Sequence, residues 1–144
     1  MSVKQISIFL ENSKGRLAQV TRTLAKEKVN IRALSLADTA DFGVLRIIVA
    51  DPERCISVLK AAGFVAQETK VVAVEVADRP GGLALVLETM EAGGVNVEYM
   101  YAYVEKSRDN AVVLCKVDEE SKATEALSKA GIATLSAEEL ARLS

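Results

Sequence analysis

Histidine is absent from this chain of 144 residues. Nucleophilic triads and metal hydrolases generally depend on that residue. A zinc site would also need more ligands than Cys55 and Cys115 can supply. The glycines do not fit the spacing of a dinucleotide-binding Gly-x-Gly-x-x-Gly motif or of a P-loop. We therefore expect a protein that is not an enzyme and that uses no metal and no cofactor.

An excess of charge of one sign is lacking too, because 18 basic residues stand against 20 acidic ones. The chain has no basic stripe and no interleaving of aromatic and arginine residues, so we expect no nucleic-acid partner. No apolar run approaches the roughly 18–20 residues of a membrane span, and the N-terminus shows no signal-peptide pattern. The two cysteines are far apart in sequence, which favours a reducing, cytoplasmic location without a disulfide framework.

What the chain does contain is an internal repeat. The turn around Gly15 recurs around Gly81, and Asn30 recurs as Asn96, both with an offset of 66 residues. A repeat at this spacing indicates two copies of one supersecondary unit. We assign residues 1–70 to the first domain and residues 71–144 to the second. Since a domain of this size is marginally stable alone, we expect each to be supported by the other or by a second chain.

Periodic hydrophobicity predicts the order β-α-β-β-α-β in both copies, followed by a short terminal helix. This order is the split βαβ pattern of ferredoxin-like folds, an α+β class with helices on one face of an antiparallel sheet. Both faces of Gly43–Ala50 are largely apolar, so we expect the second face of the sheet to be covered. The predicted strands are Gln5–Leu10, Asn30–Ala37, Gly43–Ala50, Phe64–Lys70, Val72–Val76, Val95–Val104, Ala111–Val117 and Ile132–Leu135.

Local signals mark helix ends and turns. Asp51 precedes a proline, which is typical of a helix start, and Ser136 and Glu139 have the spacing of a capping box. The turn at Lys106–Asp109 is predicted to be longer than its counterpart in the first copy, at Asp38–Asp41, because Gly131 follows Gly63 by 68 residues instead of 66.

The glycine turn that opens the first helix of each copy is suited to a small anion. Gly15 and Gly81 lack a Cβ atom, and the first N–H groups of a helix have no partner within the helix. Asp78, or Asn12 in the first copy, could hold an ammonium group beside them. A free amino acid carries both groups on one carbon and matches this arrangement. The alternative is that these are ordinary turn residues with a structural role only.

All three tyrosines lie at alternate positions of one predicted strand and share a face: Tyr99, Tyr101 and Tyr103. The first copy has small residues at the corresponding positions. Two interpretations stay open. The rings pack against small residues of the other copy, or they line a ligand pocket.

These motifs resemble those of ACT domains, the small-molecule-sensing modules of many amino-acid biosynthetic enzymes. The stretch Asp78–Leu83 matches the family's D-x-P-G-x-L turn, and Gly94–Val97 matches its G-x-N-I motif. The first copy departs from the pattern, because Asn12 and Lys14 stand where the family has Asp and Pro. The resemblance spans nearly the whole chain. It implies a tandem pair of ferredoxin-like domains that bind a free amino acid at domain interfaces and dimerise.

The resemblance thus implies a regulatory protein that transmits amino-acid binding through oligomer or partner contacts. The expected partners are the free amino acid, a second copy of the chain and a metabolic enzyme. The alternative is a structural dimerisation module without a ligand. The candidate ligand-binding residues are Asn12, Ser13, Lys14, Gly15, Arg16, Leu17, Asn30, Asp78, Arg79, Pro80, Gly81, Gly82, Leu83, Asn96, Tyr99 and Tyr101.

Overall fold

A computed structural model describes residues 2–38 and 41–143, which form two compact units. One unit is Lys4–Thr69, and the other consists mainly of the residues from Lys70 onward. Part of the predicted turn at Asp38–Asp41 lies outside the described residues.

The first unit has the predicted β-α-β-β-α-β order. Its strands are hydrogen-bonded in the order β2-β3-β1-β4, and β3 runs antiparallel to both β1 and β2. Strand β2 begins three residues later than predicted, after the turn that ends α1. The elements are β1 (Val3–Glu11), α1 (Arg16–Lys26), β2 (Ala33–Asp38), β3 (Phe42–Ile48), α2 (Pro52–Ala61) and β4 (Val65–Ala77).

The prediction of separate strands at Phe64–Lys70 and Val72–Val76 is wrong, since β4 continues without interruption through both. The one residue between them, Val71, is β-branched and favours extended backbone. The boundary between the two compact units therefore falls inside one strand.

The core of the first unit forms where both helices cover one face of the sheet. Alternate residues of β1 point to this face, and Ile8 lies opposite Leu45 of β3. The N-terminus of α2 is capped as predicted, because the Asp51 carboxylate accepts a hydrogen bond from the amide of Arg54 at 3.2 Å. The buried cluster consists of Ile6, Ile8, Leu10, Val20, Leu24, Leu45, Ile47, Val49, Cys55, Leu59, Phe64 and Ala66.

The second unit repeats the pattern with a short final strand and helix. Strand β6 pairs antiparallel with β4 and β5, and β7 pairs with the other edge of β4. The predicted capping box is confirmed, since Ser136 and Glu139 exchange hydrogen bonds of 3.1 Å at the start of the last helix. The elements are α3 (Gly82–Ala92), β5 (Val97–Ala102), β6 (Asn110–Val117), α4 (Glu120–Lys129), β7 (Thr134–Leu135) and α5 (Ala137–Ala141).

The helix-covered face of the second unit carries its own core. Val72 and Val76 of β4 lie opposite Cys115 and Ala111 of β6, and their side chains face α3 and α4. The buried cluster consists of Val72, Val74, Val76, Val86, Met90, Val95, Cys115, Val117, Ala123 and Leu127.

Large apolar side chains remain exposed in the first unit. Phe9 and Phe42 lie on the sheet face opposite the helices, and both are more than one third exposed. On strand β2, Leu34 is 59% exposed and Leu36 is 50% exposed. Because β2 ends the strand order of its unit, its outer edge has no partner strand among the described residues and is open to another surface.

The ends of α1 and α3 share one backbone geometry but differ in one residue. In α1 the amide of Val29 donates to the Leu24 carbonyl and that of Lys28 to the Ala25 carbonyl, which is a Schellman motif. This motif requires a left-handed residue, and Lys28 adopts φ 58° where the second copy has Gly94 at φ 76°. A lysine is strained in this conformation, whereas a glycine is not.

Replacing Lys28 with glycine is therefore expected to raise the free energy of unfolding by about 1 kcal/mol. The melting temperature should rise by roughly 3 °C for a chain of this size. Denaturant unfolding monitored by circular dichroism measures the change. Lys28→Ala keeps the strain and serves as the control. A Lys28→Gly protein that is less stable than the parent would contradict this account.

Candidate functional site

The two glycine turns have the same backbone. Gly15 adopts φ 85° and ψ −10°, and Gly81 adopts φ 87° and ψ −11°. Each lies in the left-handed region just before its helix, where glycine is favoured. An ideal Cβ atom built at either position would meet no atom of the described residues within 4 Å, so the space beside both turns is open within that part of the chain.

Part of the predicted amide cradle at the second turn is already engaged. The Gly82 amide donates to the Arg79 carbonyl at 3.0 Å, and the Leu85 amide donates to the Gly81 carbonyl at 3.0 Å. Between them lie the amides of Leu83 and Ala84, and Gly81 offers them no side-chain cap. The anion-binding capacity of this helix start therefore rests on two amides rather than on the whole first turn.

The first turn repeats this arrangement. The Arg16 amide donates to the Ser13 carbonyl at 3.2 Å, and the Gln19 amide donates to the Gly15 carbonyl at 3.0 Å. Its polar residue is occupied, because the Asn12 amide nitrogen Nδ2 donates to the Asp38 carboxylate at 3.2 Å. Lys14 is exposed, as is Leu17 at the start of α1.

The Arg16 side chain is directed into its own unit. Its guanidinium lies over the ring of Phe64, 4.5 Å from the centroid, and Nη1 donates to Oε1 of Gln19 at 2.9 Å. A stacked arginine of this kind stabilises packing. The guanidinium of Arg16 is therefore engaged by Phe64 and Gln19 of its own unit.

At the second turn Asp78 forms an ion pair with Lys106, which lies in the loop between β5 and β6. The hydrogen bond from Lys106 raises the pKa of the lysine above its usual value. The same loop is anchored nearby, since Ser107 and Asn110 both donate hydrogen bonds to the Glu75 carboxylate. An ammonium group of the protein thus occupies the place that the sequence assigned to the ammonium of a ligand.

A groove of about 460 Å³ lies beside the second turn. One wall is the turn itself with Leu83, and the other is the end of β4 with the start of β6. Val76 and Ala111 face each other across these two strands. The lining residues are Val76, Ala77, Asp78, Arg79, Pro80, Leu83, Ala111 and Val113. Asp78, Arg79, Pro80 and Leu83 were predicted from the sequence.

The two asparagines lie at the other end of the helix from the glycine turn of their own unit. Helix α1 has 11 residues, so its two ends are separated by about 16 Å. Asn30 is exposed and lines a small pocket of about 170 Å³ with Lys28, Arg32 and Arg54. The backbone of Asn96 is tied to Asp118, whose Oδ1 accepts from the Asn96 amide at 2.9 Å. Neither asparagine contributes to the turn of its own copy.

Tyr99 and Tyr101 are half-buried on the sheet face opposite the helices. Tyr101 lies across from Leu114, whereas the groove is on the face that carries Val113. The two rings are therefore not part of the groove in the second unit. Tyr103 is buried, and its hydroxyl donates to the Leu140 carbonyl of α5 at 3.5 Å.

Sequence reasoning missed Lys106 and the strand residues of the groove. The signal for Lys106 was the longer loop after β5, but its contact with Asp78 joins positions 28 residues apart. The sequence around Val76, Ala111 and Val113 indicates only ordinary core residues. Their position beside the turn depends on the register of β4 and β6.

Neither cysteine is a reactive thiol. Cys55 and Cys115 are buried and free, and burial raises the pKa of each thiol to about 11.

Within residues 2–38 and 41–143, no group of three Cys, Asp or Glu side chains could hold a metal ion. The helices of that part of the chain also lack the combination of length and apolar character required for crossing a membrane.

Comparison with known proteins places this geometry in a family. A protein from Bacteroides thetaiotaomicron, BT0572, is 42% identical; its crystal structure has a TM-score of 0.90 and aligns over 97% of this chain and 96% of that one. The regulatory subunits of aspartate kinase from Thermus thermophilus and Thermus flavus are 18% and 15% identical, with TM-scores of 0.62 and 0.60. These alignments cover 88% and 89% of this chain and 91% and 92% of the subunits.

A comparison with curated proteins found no significant match. The family described as "ACT domain pair" matches residues 1–144 of this chain. The resemblance noted from the two glycine turns is confirmed, together with the α+β fold built from two ferredoxin-like repeats. This chain therefore belongs to the ACT domain pair family.

Proposed function

We propose that the chain is a regulatory protein that binds a free amino acid at the glycine turn of its second repeat. One observation carries this proposal. The left-handed Gly81 opens α3 with two uncapped amides, next to the Asp78 carboxylate and beside an open groove. This arrangement presents a donor site for a carboxylate and an acceptor for an ammonium group.

The binding mode follows from the charges at the turn. The ligand carboxylate accepts hydrogen bonds from the amides of Leu83 and Ala84, where the dipole of α3 also favours an anion. The ligand ammonium displaces the ammonium of Lys106 from Asp78. The first turn has the neutral Asn12, already bonded to Asp38, so we assign it the weaker site or none.

A regulatory role without catalysis is supported by the family and by the chemistry of the site. Two of the structurally similar proteins are regulatory subunits of aspartate kinase. The groove residues include no activated nucleophile, and the buried thiols are protonated at neutral pH because their pKa is about 11. We infer that ligand binding is transmitted through contacts with a partner, for which a metabolic enzyme is the candidate.

The first unit supports assembly with a second copy of the chain. Strand β2 presents an unpaired edge with the exposed side chains of Leu34 and Leu36. A homodimer would cover such an edge. The free thiols are consistent with a cytoplasmic location.

A thermal-unfolding panel of the common amino acids tests the function. A true ligand at 100 times its Kd should stabilise the protein by about 2.7 kcal/mol. Gly81→Ala should weaken this response, because its methyl group occupies space at the turn that is open in the parent protein. Gly15→Ala is the matched control, with the same backbone strain at the other turn. Equal responses of both variants would contradict the assignment to the second turn.

Replacing Lys106 with methionine is expected to tighten amino-acid binding about two- to fivefold, because the ligand no longer competes with the lysine for Asp78. Isothermal titration measures the change. The control is Lys129→Met, which removes an exposed lysine that is also paired with an acid, Glu125. Weaker binding by the Lys106→Met protein would show that this lysine holds the ligand instead of competing with it.

The Asp78–Lys106 pair also favours a second candidate function. Because Lys106 already neutralises the Asp78 carboxylate, the turn is also compatible with a structural dimerisation module that binds no ligand. Such a module would form a stable dimer by light scattering. Its melting temperature would not respond to any amino acid in the panel.

A further inference from the structure

We propose that the amino acid bound at the second turn carries a large apolar side chain, such as leucine, methionine or phenylalanine. This inference rests on the proposed function and adds the class of the ligand. It depends on the groove beside the turn, whose wall is apolar apart from the turn residues.

The groove wall is built from the helix-facing side of the sheet. Val76 of β4 lies opposite Ala111 of β6, and Val113 follows two residues later on the same face. Val76 is buried, and Ala111 and Val113 are half-buried at the edge of the core cluster. Leu83 closes the groove from α3 and remains 37% exposed, so apolar surface is available to a ligand.

The placement of charge sets the orientation of the ligand. The charged lining residues, Asp78 and Arg79, both belong to the turn. A zwitterion held there directs its side chain along the groove toward Val76 and Val113. A charged side chain on that path would lose its water and find no partner on the strand wall, which carries a free-energy penalty.

The size of the groove favours a long side chain. Its volume of about 460 Å³ lies within the range of typical ligand pockets. Each further methylene group buried against the wall should improve affinity by about fourfold. Glycine, alanine and serine would leave most of the wall uncovered and should bind weakly.

Titration calorimetry with the full chain tests this inference by comparing amino acids whose side chains have similar length but differ in polarity. Methionine is compared with glutamine and glutamate, norleucine with lysine, and leucine with asparagine. We expect methionine, norleucine and leucine to bind at least tenfold more tightly than their polar counterparts. Tighter binding of glutamate, lysine or another polar member would overturn the inference and leave the proposed function in place. No binding by any amino acid would overturn both.

A matched pair of variants locates the apolar contact. Leu83→Ala should weaken the binding of leucine about tenfold and leave the binding of alanine unchanged, because only the longer ligand reaches the lost side chain. Leu85 of the same helix is 51% exposed and does not line the groove. Leu85→Ala is therefore the control and should leave both affinities unchanged. Unchanged leucine binding by the Leu83→Ala protein would overturn the proposed path along the groove.

Discussion

Replacing Gly82 with alanine is expected to lower the free energy of unfolding by about 2–3 kcal/mol. A Cβ atom at this position would lie 1.9 Å from the carbonyl oxygen and 2.9 Å from the carbonyl carbon of Ala77, at the end of β4. Backbone cannot rotate away as a flexible side chain would, so the turn and the strand end must separate. Chemical denaturation measures the loss.

The first copy shows how far the turn can relax. It carries Arg16 at the equivalent position and keeps the same turn hydrogen bonds, so a nearby geometry with a side chain exists. We therefore expect a destabilised protein that still folds. The control is Gly81→Ala, whose methyl group would meet no described atom within 4 Å. We expect it to lower the free energy of unfolding by only the strain of its positive φ, about 1–2 kcal/mol. A smaller loss for Gly82→Ala than for Gly81→Ala would contradict the close approach.

Replacing Asp78 with asparagine is expected to weaken amino-acid binding about 10- to 100-fold, because a charge-assisted hydrogen bond to the ligand ammonium is lost. Stability should hardly change, since the pair with Lys106 is exposed to water. Isothermal titration measures the affinity, and thermal unfolding without ligand measures the stability.

The matched control for this change is Glu125→Gln. Glu125 is also exposed and paired with a lysine in the second unit, so its replacement changes the net charge equally. Affinity should be unaffected there. If Asp78→Asn binds as tightly as the parent protein, the carboxylate does not hold the ligand and the proposed binding mode is wrong.

Local signals predicted the fold because each acts within a few residues. The Asp51 cap and the Ser136–Glu139 capping box formed as expected, and so did the two glycine turns. The prediction of two strands around Thr69–Val72 is wrong because the boundary between two sequence repeats does not have to interrupt a strand. Nothing in those residues interrupts a strand, and β4 serves both copies.

The site was predictable only in its contiguous part. Asp78 and Gly81 could be located because six neighbouring residues carry the motif. The groove could not be predicted, since Val76 and Ala111 lie opposite each other only through strand pairing between distant segments. Lys106 is a similar case, because its role depends on a loop folding back onto the turn.

An amide NMR titration of the ¹⁵N-labelled protein with methionine shows whether a free amino acid binds at the start of α3. We expect saturable shifts of the Leu83 and Ala84 amides, with smaller shifts at their counterparts Leu17 and Ala18. Saturable shifts elsewhere with Leu83 and Ala84 unmoved would contradict binding at the second turn, as would a spectrum that no amino acid changes.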